Sequence, residues 1–153
     1  MTAVVAGPAR HARVLLEGGQ TLMEAVTGAM AGLGWRSATL LILGGPMARA
    51  VFHTSVLTPG GPRWIDYGPP REVAAPAWLV MGSATFGEAL DGGPALHCHA
   101  VLSGPEGVVG GHLAPTTCVL GPEGLVAHAT SAAGARFRVV REAASGFDLL
   151  TPA

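Results

Sequence analysis

The sequence predicts an α+β fold: a mainly antiparallel sheet with one principal helix. Two observations support this class. A single segment has strong helical periodicity, and the rest of the chain consists largely of short apolar or alternating segments separated by Gly and Pro. The 153 residues fit one domain spanning 1–153, in which we find no linker and no internal repeat.

The helix is predicted to follow Thr21, because this residue can cap it and Glu24, three positions later, completes a capping box. Helical spacing then continues to Leu33, and Gly32 and Gly34 end the segment. The positions that form its apolar face are Leu22, Ala25, Val26, Ala29, Met30 and Leu33.

The remaining segments favour strands bounded by turn residues. Gly44, Gly45 and Pro46 are expected to end one strand, residues 58–62 to form a loop, and the residues after Phe147 to form a last strand or a tail. The strands are expected over 11–17, 37–43, 47–57, 71–80, 81–87, 95–103, 107–113, 116–120, 124–130 and 136–141.

Charged residues make up only 12% of the chain, about half the usual ~25%. The mean hydropathy is +0.43. A monomer of this composition would expose much apolar surface, so we expect subunit contacts. The net charge is −1 and all nine basic residues are Arg. This balance opposes DNA binding by charge alone, and the absence of Lys excludes a Schiff base and a P-loop lysine.

The segment 1–7 lacks a basic n-region, so we do not expect a signal peptide. No apolar run approaches the ~18 residues of a membrane span. Cys98 and Cys118 are too few for a disulfide framework. These features favour a cytoplasmic protein with two buried thiols and no membrane association.

Three of the six histidines fall in a short stretch that also gives the clearest hairpin signal. His97 and His99 share one face of a strand, and Cys98 points to the other. If Pro105 and Glu106 form the turn, paired residue numbers sum to 211. This register places His99 directly opposite His112, so the three imidazoles converge.

Three imidazoles with an open fourth position are typical of zinc sites that bind a ligand or act in catalysis, and they suit other divalent metals as well. The alternative is a cluster of hydrogen-bonding histidines at a subunit contact. Gly110 and Gly111, beside His112, indicate a bulge, a close approach of another backbone or ligand, or a packing need.

Other candidates for chemistry are weaker. His53 and His128 are interpreted as isolated core or surface residues and His11 as exposed. Glu88 and Glu106 are the candidates for a general base near a metal, although Glu106 fits a solvated turn position better. Neither a Gly-x-Ser-x-Gly elbow nor a phosphate loop followed by a helix is present in the sequence.

The segments 92–102 (GGPALHCHAVL) and 107–113 (GVVGGHL) closely resemble the signature of the PPC domain, the plants and prokaryotes conserved domain. Segments 16–25, 43–47 and 145–150 are similar to other parts of that family. The resemblance implies a trimer of α+β subunits and offers His97, His99 and His112 as metal ligands. Two departures are Gly18-Gly19-Gln20 in place of an acidic turn, and the absence of the Arg-Gly-Arg-Pro AT-hook of the plant proteins.

Three functions follow as hypotheses. The first is a trimeric protein that binds a divalent metal, zinc above all, or a small ligand, with no assigned activity. The second is a DNA-associated regulatory protein without an AT-hook, whose DNA contacts would be weak or indirect unless Arg136, Arg138 and Arg141 gather into a basic patch on assembly. The third is a metal-dependent hydrolase or lyase.

Overall fold

The computed structural model describes residues 7–61, 64–143 and 146–152. Within them the chain forms one helix, α1 (Leu22–Leu33), and thirteen strands. The strands are β1 (Ala9–Leu16), β2 (Ala38–Arg49), β3 (Val51–His53), β4 (Ser55–Leu57), β5 (Ile65–Tyr67), β6 (Arg71–Glu72), β7 (Ala77–Glu88), β8 (Pro94–Gly104), β9 (Gly107–Leu113), β10 (Val119–Leu120), β11 (Leu125–Ala132), β12 (Phe137–Arg141) and β13 (Asp148–Pro152).

Eight strands form one continuous path across the main sheet, in the order β1-β11-β2-β7-β8-β9-β3-β6. All the pairings along this path are antiparallel. β10 joins beside β2, β12 and β13 form a hairpin that touches β7 through one parallel bridge, and β4 and β5 form a separate hairpin. The predicted α+β class with one principal helix is confirmed.

The helix has the boundaries that its sequence predicts. Thr21 Oγ1 accepts the Glu24 N–H, and the Glu24 carboxylate accepts the Thr21 N–H, which completes the capping box. Gly34 ends the helix in the left-handed region, at φ 66°. The helix continues through Gly32 and ends only at Gly34.

The sheet has one covered face and one open face. Leu40, Ile42, Ala84, Cys98 and Ala100 alternate along the three central strands and are buried in the core, as are Leu22, Val26 and Met30 of α1. The residues between them point the other way, and many are apolar but exposed. Leu15, Leu41, Met81 and Val101 are 66%, 44%, 52% and 38% exposed, respectively.

Two predicted strand breaks are wrong. β2 runs unbroken through Gly44, Gly45 and Pro46, because its ladder with β11 ends at Ile42 and its ladder with β10 begins at Met47. Pro46, which has no N–H, therefore lies between two ladders on that side of the strand. The break expected at residue 81 is only a register shift between Leu79 and Met81 within β7.

The predicted strand 47–57 divides among the end of β2, β3 and β4. The predicted strand 71–80 divides between β6 and the start of β7. The segment after Phe147 forms β13, so the strand alternative is confirmed there. The expected loop 58–62 lies outside the strands over 58–61, and residue 62, like residues 1–6, is outside the described residues. No helix among the described residues has the length and apolar character to cross a membrane.

Candidate metal centre

The β8–β9 hairpin has the register that the sequence predicts. Gly104 pairs with Gly107 across the turn, and His99 pairs with His112. His97 lies two residues before His99 and so shares its face of the sheet. Cys98 points to the opposite face and is fully buried, which removes it from the histidine cluster.

The three imidazoles converge. Their ring centroids lie 4.8 Å (His97 to His99), 4.6 Å (His97 to His112) and 5.2 Å (His99 to His112) apart. One nitrogen from each ring can be chosen so that all three lie within 4.8 Å of one another. Around tetrahedral zinc, ligand nitrogens lie about 3.3 Å apart, because each Zn–N bond is ~2.0–2.1 Å long. The ring nitrogens must therefore approach one another by up to about 1.5 Å to share one zinc ion.

The surroundings of His97 and His112 favour the neutral imidazole, which is the form that binds a metal. Burial, with a smaller contribution from His99, lowers the pKa of His97. Burial, His97, His99 and His53 together lower the pKa of His112 to about 4. His97 and His112 are half-buried, whereas His99 is exposed and opens the site to solvent.

Sequence reasoning placed His53 apart from this cluster, and the structure corrects this. β3 pairs with β9 so that His53 lies directly opposite His112. The His53 Nδ1 lies 2.9 Å from the Gly68 carbonyl oxygen. A carbonyl can only accept, so this nitrogen carries the ring proton of neutral His53 and leaves Nε2 with a free lone pair.

Tyr67 is a second residue that sequence reasoning missed. Its hydroxyl lies 3.4 Å from His112 Nδ1, and its ring packs at 4.8 Å from the His112 ring and 5.9 Å from the His53 ring. Burial and the neighbouring Asp66 raise the pKa of Tyr67, so the phenol stays protonated at neutral pH. A hydrogen bond at Nδ1 would leave Nε2 of His112 for a metal.

In the sequence, the signal that another strand lies close to His112 is the neighbouring Gly111. A Cβ at Gly111 would lie 2.6 Å from the His53 carbonyl oxygen and 2.7 Å from the Phe52 ring. The glycine therefore permits a close approach of another backbone, one of the roles that the sequence allowed. Which backbone approaches could not be deduced, since β3 and β9 are separated by more than fifty residues.

The remaining candidates lie elsewhere. His11 and His128 are exposed, as expected, and His11 shares a hydrogen bond with Thr130. Glu106 is exposed in the hairpin turn. Glu88 accepts a hydrogen bond from Arg138 at 2.8 Å, at the end of β7. Among the described His, Cys, Asp and Glu residues, His97, His99 and His112 are the one group placed to share a metal ion.

Stronger DNA contacts would require Arg136, Arg138 and Arg141 to gather into a basic patch on assembly, and ion pairs within the single chain oppose this. Arg138 is paired with Glu88, and Arg141 is paired with Asp148 at 3.0 Å. Two of the three charges are thus balanced locally, so this segment offers little attraction to a polyanion.

Comparison with known proteins shows the family to which the chain belongs. Residues 5–130 match the model of the Plants and Prokaryotes Conserved (PCC) domain, and the chain belongs to this family. The resemblance seen in the histidine and glycine motifs is thereby confirmed. The sequence finds no significant match among curated proteins.

Solved structures with the same fold cover nearly the whole chain. A metal-containing protein from Archaeoglobus fulgidus has a TM-score of 0.70 at 17% identity, over 99% of this chain and 98% of that one. A plant- and prokaryote-conserved protein from Pyrococcus horikoshii has 0.69 at 18%, over 99% and 96%. A candidate DNA-binding protein from Ralstonia eutropha JMP134 has 0.69 at 15%, over 91% and 89%.

Proposed function

We propose that this protein binds a divalent metal ion, zinc above all, through His97, His99 and His112. The observation that carries the proposal is the convergence of three imidazole nitrogens within 4.8 Å on a hairpin of defined register. Three converging imidazoles suit a first-row divalent ion, and zinc accepts such a set with a fourth position open. The metal-containing relative from Archaeoglobus fulgidus adds support.

When bound, such an ion offers a Lewis-acidic position to water or a small anionic ligand. His99 lies at the exposed side of the cluster, so a ligand would enter there. Tyr67 and His53 line the side of His112, and they supply a hydroxyl and a basic ring nitrogen near the same centre. Neither sequence candidate for a general base reaches the cluster, so we propose ligand binding ahead of hydrolase or lyase activity.

We propose further that the protein acts as a homotrimer in the cytoplasm. The open face of the sheet supports assembly: Leu41, Met81 and Val101 surround an apolar depression of about 230 Å³ that His99 also lines. Apolar surface of this kind is typical of subunit contacts. A partner subunit on this face would cover the approach to His99 from one side.

DNA association is the second candidate, and the names of the Ralstonia eutropha relative and of another from Bacteroides thetaiotaomicron are what favour it. The net charge of −1 and the pairing of Arg138 and Arg141 oppose it. We therefore place DNA contact below metal binding.

Elemental analysis of the purified protein tests the proposed function. One divalent ion per chain is expected in the native protein, and none in a variant with His97, His99 and His112 all replaced by Ala. Stoichiometric metal in that triple variant would overturn the proposal. Circular dichroism would establish that the variant retains its sheet.

A further inference from the structure

Three arginines meet at the C-terminal end of α1. Arg10, Arg36 and Arg136 line one open pocket of about 290 Å³. The other lining residues are small or hydroxylic, and none is acidic: Gly34, Ser37, Ser131, Ala132, Ala133, Gly134 and Ala135. One third of the nine arginines of the chain therefore lies around a single pocket.

The fold assembles this cluster from three separate segments. Arg10 lies at the start of β1, Arg36 lies between α1 and β2, and Arg136 lies between β11 and β12. Arg10 pairs with Ser131 in the β1–β11 ladder, so both face the side of the sheet that α1 covers. The antiparallel pairing of β1 with β11 thus brings opposite ends of the chain together.

The charges in this pocket are not balanced by neighbours. Arg49, Arg138 and Arg141 each form an ion pair at 2.8–3.0 Å. Arg10, Arg36 and Arg136 form none with the described residues. The carbonyl end of α1 contributes roughly half a negative charge, which is small against three guanidinium groups. The pocket therefore carries an excess of positive charge in a chain whose net charge is −1.

Parts of the pocket are held in place before a ligand arrives. The Arg10 guanidinium lies 5.1 Å from the centre of the buried Trp35 ring, a cation–π contact that fixes its position. The buried Ser37 Oγ accepts the Phe137 N–H at 2.9 Å, and its own O–H remains for donation. Preorganised donors bind an anion at a lower entropic cost.

We propose that this pocket binds the phosphate groups of a small phosphorylated ligand. Each guanidinium group can donate two parallel hydrogen bonds to the oxygens of one phosphate group. Three guanidinium groups together suit a multiply charged anion better than a single carboxylate. One water molecule occupies about 30 Å³ in the liquid. The pocket volume of about 290 Å³ therefore corresponds to about ten water molecules, which accommodates a pyrophosphate. A small ligand fits better than a polyanion, because the arginines beyond the pocket on β12 are already paired.

Calorimetric titration with pyrophosphate tests the proposal. Arg36→Gln and Arg136→Gln should each weaken binding at least about tenfold, since each removes a charge-assisted contact. Arg13→Gln is the matched control: it removes the same charge from β1, but Arg13 faces the other side of the sheet and should leave the affinity unchanged. Equal affinity in the control and pocket variants would overturn the proposal, as would an absence of binding at millimolar pyrophosphate.

Two further experiments distinguish this pocket from the metal centre and a small phosphorylated ligand from nucleic acid. Pyrophosphate also chelates metals, so the titration is repeated with His99→Ala, where binding at the arginine pocket should persist; its loss there would overturn the proposal. A short DNA duplex at physiological salt should neither bind tightly nor displace pyrophosphate. If the duplex displaced pyrophosphate, and Arg36→Gln abolished that displacement, nucleic acid would replace a small phosphorylated ligand as the occupant.

Discussion

His99 and His112 face each other directly across the β8–β9 ladder, with their ring centroids 5.2 Å apart and their ring planes at 89°. The same row continues to His53 on β3 and to Ser83 on β7. Residues opposite one another in antiparallel strands share a face, so one transverse row of the sheet carries three histidines on its open side. The candidate metal centre therefore depends on strand register rather than on a loop.

The metal should depend on the triad and on no other histidine. His99→Ala should abolish stoichiometric metal while the fold is retained, because backbone pairing holds the hairpin. His53→Ala and His128→Ala should leave the metal content unchanged, since neither belongs to the converging group. Elemental analysis of the three variants distinguishes these outcomes; loss of metal from His53→Ala would make that residue a ligand.

The metal-free protein should become less stable as the pH falls from about 6.5 to about 4. His112 has a pKa of about 4 in the folded chain, against ~6.5 when unfolded. In this interval the unfolded chain binds the proton and the folded chain does not, so lowering the pH favours unfolding. His97 acts in the same direction.

Urea denaturation with a chelator, at fixed protein concentration, measures this dependence. His112→Gln should flatten the change in free energy of unfolding between pH 7 and pH 5. A native protein with equal stability at the two pH values would contradict the assignment.

The native protein should have a mass in solution of roughly three times 15.4 kDa. Leu41→Glu places a charge in the apolar depression of the open face and should shift light scattering towards the mass of a single chain. Leu90→Glu is the control, because Leu90 is exposed in the β7–β8 turn, away from that face. A native mass near 15.4 kDa at micromolar concentration would refute assembly.

Cys98 should be inert in the native protein. Burial raises the pKa of its thiol to about 12, and its side chain lies in the core behind the histidines. In a Cys118→Ala background, a thiol reagent at pH 8 should react only after denaturation, because the thiolate is the reactive form. Rapid native reaction would mean that Cys98 faces solvent, and hence that the strand register is wrong.

DNA binding should be weak and sensitive to salt. With nine Arg against ten acidic residues in each chain, few phosphates can be neutralised per subunit. The slope of log K against log salt should be no steeper than about −3 per subunit, for three contacts. Gel-shift titrations over a range of salt concentrations measure it. Tight, sequence-selective binding at physiological salt would contradict this expectation.

Local signals determined much of this protein. The capping box at Thr21 and Glu24 defines the start of α1 within the sequence itself. A tight turn at Pro105 and Glu106 fixes the hairpin register and therefore the pairing of His99 with His112. In both cases the interacting residues are close in sequence, so their geometry follows from turn and helix chemistry alone.

Tertiary structure decided the rest, because pairing between distant strands leaves little trace in either segment. The sequence did not reveal that β3 pairs with β9, which brings His53 to His112, or that Tyr67 of the β4–β5 hairpin packs against the same ring. Nor did it reveal that β1 pairs with β11, which places Arg10 near Arg136. Pro46 predicted a strand break, yet a gap between two ladders lets β2 continue. Strand order is set by burial of the whole apolar face against α1, a property of no single segment.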